Sequence, residues 1–122
     1  MLAAQIELIL LLTGLATAGA LALFLAPVTM MKLLFGQAPS DALSLLLARH
    51  WGLLVCLVGG LLIYAAYHAE VRVPALIVAS VEKAAFALGM FLSPFRRRPT
   101  VLVMALADAG MATMNVMYLI GL

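Results

Sequence analysis

The sequence predicts an all-α integral membrane protein, a four-helix bundle forming a single domain over residues 1–122. Three observations lead there. Hydrophobic residues make up 67% of the chain and charged residues only 10%, at a mean hydropathy of +1.23, a balance that soluble domains do not sustain. The apolar residues fall into long runs, at about 5–26, 43–68, 75–92 and 100–121, and about 20 helical residues cross a hydrocarbon core. The connections between these runs are short, so no soluble module fits between them.

The first run, 5–26, is preceded by MLAAQIE, which has no Lys or Arg and carries Glu7. That is the wrong sign for a signal-peptide n-region, so the run reads as a retained span. Gly14, Ala18 and Ala22 form a small-residue stripe of the kind that lets a neighbouring backbone approach closely. Pro27 lacks a backbone donor and ends or kinks the helix. In the connection that follows, MMKLLF suits a short interfacial helix. Gly36 can stop it, and Pro39-Ser40-Asp41 can start the second span with Ser40 or Asp41 as the N-cap.

In the second run Arg49, Gly52, Cys56 and Gly60 recur near helical spacing, which predicts the packing face. Trp51 towards one end, and Tyr64 and Tyr67 towards the other, fit aromatic belts at two interfaces. His50 and His68 lie about 27 Å apart along one helix, too far to ligate one haem, and no spacing suggests a metal site or another cofactor. Cys56 is the single cysteine, so no intramolecular disulfide forms.

The third run opens beside Pro74, a first-turn proline. It carries Glu82 and Lys83 near its middle, where a charge costs about 2.5–3.5 kcal/mol on insertion scales. The two side chains point about 100° apart and so address different neighbours. In the fourth run Asp108, Ala112 and Asn115 share a face, and Ala105, Ala109 and Ala112 permit close packing.

A formal net charge of +2 is too small to suggest nucleic acid. The loops after the first and third spans carry Lys32 and Arg96, Arg97, Arg98, against Arg72 alone in the loop between them. The positive-inside rule then places those basic loops in the cytoplasm and both termini outside. Depth along the runs divides the polar residues into an inner group (Arg49, His50, Asp108) and an outer group (Glu7, Glu82, Lys83, Asn115, with His68). Arg49 is expected to pair with Asp108, and Lys83 to reach Glu7 or snorkel outward, leaving Glu82 for Asn115 or a ligand.

The stretches LLARHWGLLVCLVGGLLIY, PALIVASVEKAAF and ALADAGMATMNVMYL resemble small bacterial four-span proteins of the DoxX-like kind, through Arg49, the Glu82-Lys83 pair and Asp108. The resemblance implies a bacterial inner-membrane protein. Because DoxX itself is associated with a thiosulphate:quinone oxidoreductase, it also implies quinone or redox partners. It transfers no catalytic residue. The sequence holds no Ser-His-Asp set, metal cluster or phosphate loop to point to an enzyme.

The candidates for a ligand or proton site are therefore Glu82, Lys83, Asp108, Arg49, Asn115 and His50. The reading they support is a small membrane protein among lipids that binds a lipophilic molecule, lipid or quinone-like, or serves as an accessory subunit of a membrane complex or homo-oligomer. The alternative is a proton-coupled transporter or channel subunit using Glu82 and Asp108. Beneath both lies the plainer possibility that buried pairs only fix helix register.

Overall fold

The computed structural model describes residues 5–38 and 40–121. Among them run six α-helices and no strand: α1 (Ile6–Ala18), α2 (Leu21–Leu25), α3 (Pro27–Phe35), α4 (Ala42–Tyr67), α5 (Arg72–Phe91) and α6 (Pro99–Leu119). The stretch Ile6–Leu25, with α4, α5 and α6, gives four helical segments long and apolar enough to cross a membrane, as the composition predicts.

The first span is broken, which the sequence reading missed. Near Gly19 the ladder tightens to three-residue spacing, with Ala20 N–H donating to the Thr17 carbonyl at 3.1 Å and Leu23 N–H to that of Ala20 at 2.9 Å. The cause is local. The Thr13 hydroxyl donates to the Ile9 carbonyl at 2.7 Å and the Thr17 hydroxyl to that of Thr13 at 2.6 Å, a back-bonding pattern that bends helices. Gly19, a weak helix former, follows at once.

Pro27 opens α3, and Gly36, at φ 78° in the left-handed region, closes it. The Leu34 carbonyl near that end accepts from Arg98 Nε at 3.3 Å and from the Thr100 hydroxyl, tying α3 to the start of α6. Pro39 lies outside the described residues. Asp41, not Ser40, is the N-cap of α4: its carboxylate accepts the Ser44 N–H at 2.8 Å, and bonds from Ser44 hold it below the usual carboxylate range.

At the far end of α4, Arg72 Nε and Nη2 donate to the carbonyls of Ala65 and Ala66, both at 2.8 Å. Arg72 also reaches Glu7 at 3.6 Å. The third helix thus begins at Arg72, ahead of the expected start at 75, with Pro74 inside its first turn. Tyr64 and Tyr67 are exposed near the end of α4, and Tyr64 stacks on His68 with ring centroids 3.9 Å apart.

α1 and α2 run antiparallel along α4, and α5 and α6 form the second hairpin. Leu8, Leu12, Leu15, Leu57, Leu88 and Leu106 turn outward as a lipid-facing surface, while Leu10, Leu62, Ala65, Leu76 and Ala79 meet inside. The α6 stripe is as expected, with Ala105 and Ala112 buried and Ala109 half-buried.

The α4 stripe needs correction. A Cβ on Gly52 would lie 2.6 Å from Leu23 Cβ and 2.9 Å from the Ala20 carbonyl oxygen, so Gly52 is a true close approach. Its companion is Gly59, whose Cβ would strike the Ala18 backbone and lie 2.7 Å from the Gly14 carbonyl oxygen. Gly60 is exposed, a Cβ there would meet nothing within 4 Å, and Cys56 is only half-buried. The physical reason is helical phase. Seven residues return within about 20° of the starting direction, whereas eight overshoot by about 80°.

Gly59→Ala should therefore lower the stability of the detergent-solubilised protein by about 1–3 kcal/mol, because backbone must move. Gly60→Ala should be neutral or raise it by up to about 1 kcal/mol through helix propensity. Thermal unfolding followed by circular dichroism checks the order of the two.

Candidate functional site

Lys83 lies twelve residues into the twenty-residue α5 and is only 1% exposed. An ammonium at that depth needs acceptors, and two are provided. Nζ donates to the Thr17 hydroxyl at 2.7 Å and lies 3.5 Å from Asp108 Oδ1. Thr17 in turn donates to the Thr13 carbonyl at 2.6 Å, so the charge is relayed into the backbone of α1. The break at Gly19 helps as well. It brings the C-terminal, negative end of α1 into the middle of the bundle, where a cation is favoured.

Two expectations are corrected here. The cation of Asp108 is Lys83, not Arg49: Arg49 is exposed on α4 and takes part in no ion pair among the described residues. Lys83 does not reach Glu7, which goes to Arg72 instead. Both errors came from dividing the polar residues into inner and outer groups. Since α5 starts at Arg72 and α6 at Pro99, Lys83 and Asp108 both sit near mid-helix, at one level. The 100° offset between Glu82 and Lys83 does send them to different neighbours, as the spacing predicts.

Glu82 is half-buried and its Oε2 atom, shielded from solvent, has no hydrogen-bond partner among the described residues. It forms part of the wall of a cavity of about 260 Å³ between the spans, together with Asp108. The remaining wall is apolar or backbone: Gly19, Ala20 and Leu23 at the break, Met30 and Leu34 of α3, Trp51 and Val55 of α4, Phe86 of α5, and Met104 and Ala107 of α6. An apolar chamber with a few convergent polar groups is the usual form of a small-molecule site.

Trp51, expected in an aromatic belt, packs against aromatic rings of other helices. It is half-buried about 14 Å into α4, stacks on Phe86 with centroids 5.8 Å apart at 15°, and lies 6.4 Å from Phe35. Phe35 packs edge-on to Phe95 at 5.3 Å, closing the basic end of the bundle. Trp51, Glu82 and Phe86 also border a groove of about 430 Å³ between α4 and α5, whose rim includes exposed Leu54, Ala85 and Gly89.

Of the sequence candidates, then, Glu82 and Asp108 meet at the cavity and Lys83 stands behind Asp108. Arg49 and His50 are exposed and stand apart from it. Asn115 is buried at 2% exposure with Nδ2 unpartnered, but it does not bond Glu82 through the free atoms of either residue and does not line the cavity. Thr17, Trp51 and Phe86 were missed as site residues. Thr17 had a legible signal, because Thr13 and Thr17 place two hydroxyls one turn apart inside an apolar run. Comparison with known proteins matches no protein-family model, no curated protein and no solved structure.

Lys83→Met and Asp108→Leu should each destabilise the bundle by about 3 kcal/mol, since each strands the opposite charge, and the double variant should regain part of the loss. Arg49→Ala should stay within about 0.5 kcal/mol of the parent. A double-mutant cycle on thermal unfolding in detergent measures all of these.

Proposed function

We propose that this chain is a membrane-embedded binding protein that holds a lipophilic small molecule in the cavity walled by Glu82 and Asp108. The observation that carries the reading is Glu82, a carboxylate side chain in the wall of a largely apolar chamber whose shielded Oε2 has no hydrogen-bond partner among the described residues. Such an atom costs about 1–3 kcal/mol when left unsatisfied, and a proton, or a turn of the carboxylate towards a bound molecule, removes that cost. A merely structural role explains Lys83 and Asp108, which satisfy each other, but leaves Glu82 unexplained.

The same carboxylate favours the second reading, proton-coupled transport. A group that can exchange a proton for a ligand at mid-bilayer depth is what such coupling requires. Service as an accessory subunit, and kinship with the small bacterial inner-membrane proteins of the DoxX-like kind, are compatible proposals resting on the resemblance in the second, third and fourth spans.

Native mass spectrometry of gently solubilised protein tests the binding reading. The parent should carry a retained organic molecule, and Glu82→Gln should lose it while keeping the helical circular dichroism spectrum. A bare parent chain, or equal retention by the variant, would count against the proposal.

A further inference from the structure

We propose that the occupant of this cavity is a compact lipophilic monocation, an organic ammonium with apolar substituents. The inference rests on the binding reading above and gives it a ligand class. Its basis is a count of charges. Two carboxylates, Glu82 and Asp108, border the cavity, and the one cation beside them among the described residues, Lys83, is engaged by Asp108 and Thr17. By formal charge one carboxylate is left without a counter-ion among the described residues, and it is the side chain whose Oε2 has no hydrogen-bond partner among them. A monocation restores neutrality without disturbing the Lys83 to Asp108 pair. A lipophilic anion would meet two carboxylates, and a neutral quinone-like molecule would leave the excess charge in place.

The rest of the wall suits the same class. Trp51 and Phe86 bring aromatic rings to the cavity, and aromatic faces attract organic ammonium groups. Leu23, Met30 and Met104 offer apolar and polarisable surface to the substituents. At about 260 Å³ the chamber falls just under the common range for small-molecule sites, which begins at about 300 Å³, so the occupant must be small. A route from the bilayer is at hand, because Trp51, Glu82 and Phe86 also border the groove between α4 and α5.

Trp51 is the only tryptophan in the chain, so its emission reports on the site directly. The experiment titrates the protein in lipid vesicles with three probes matched in shape. These are benzyltrimethylammonium, its neutral carbon isostere neopentylbenzene, and the anion phenylmethanesulfonate, with free tryptophan octyl ester in empty vesicles correcting for partition. The cation should change Trp51 emission with at least tenfold higher affinity than the isostere, the anion should have no effect, and Glu82→Gln should bring cation and isostere within about twofold.

If the neutral isostere binds as tightly as the cation to the parent protein, the cation assignment is overturned while the lipophilic binding reading stands. If none of the probes changes the emission up to its solubility limit, both fall. A tenfold cation preference that survives Glu82→Gln also overturns the inference, because the charge count assigns that preference to Glu82. The comparison of probes on the parent protein decides the matter even if the variant does not fold.

Discussion

A buried ammonium in the middle of a membrane helix must find acceptors, and that need at Lys83 organises the bundle. Lipid offers no hydrogen bonds, and apolar contact between spans brings little net gain over contact with lipid. The Lys83 interactions hold three spans together at one level: Thr17 from the first, Lys83 from the third and Asp108 from the fourth. The second span is joined differently, by close backbone approach. Gly14, Gly52 and Gly59 let α1, the break and α2 lie against α4 with almost no side chain between.

The break in the first span belongs to the same arrangement. A continuous helix would carry its negative end out to the bilayer surface. Ending α1 at Ala18 leaves that end beside the ammonium, and α2 and α3 can then close the basic end, with Phe35 of α3 set against Trp51. The gap left between the broken span and the other helices is the cavity. Lys83 and Asp108 pair with each other, so the wall retains one carboxylate, Glu82, with no ion pair among the described residues. The structural pair and the candidate binding group are neighbours in sequence with separate roles.

Much of this architecture was legible in the sequence. Run lengths gave the four spans, and Pro27, Gly36 and Asp41 marked ends where fixed φ, a left-handed turn and a side-chain cap act locally. The α6 alanines were read correctly because their spacing stays in phase over two turns. Gly59 and Gly60 are hard to tell apart in sequence, because one residue of phase turns a face by about 100° and two adjacent glycines give no side chain to decide between them. The Arg49 to Asp108 pairing failed for a different reason. Depth was counted from the apolar runs, whereas α5 begins three residues earlier, at Arg72, whose side chain caps α4. That shift moved Glu82 and Lys83 from the outer half to the level of Asp108. Trp51 and Phe86 come from different helices, and spacing within one helix cannot predict that they stack.

The central claim is that the two mid-membrane carboxylates are unlike: Asp108 is committed to Lys83, and Glu82 is free at the cavity wall. A hydrophobic carbodiimide tests this directly, because it enters the bilayer and reacts with carboxyl groups in apolar surroundings that are not held in an ion pair. After treatment of the protein in native membranes, peptide mapping by mass spectrometry should find the adduct on Glu82, with Asp108 unmodified. Modification of Asp108 in preference to Glu82 would contradict the account.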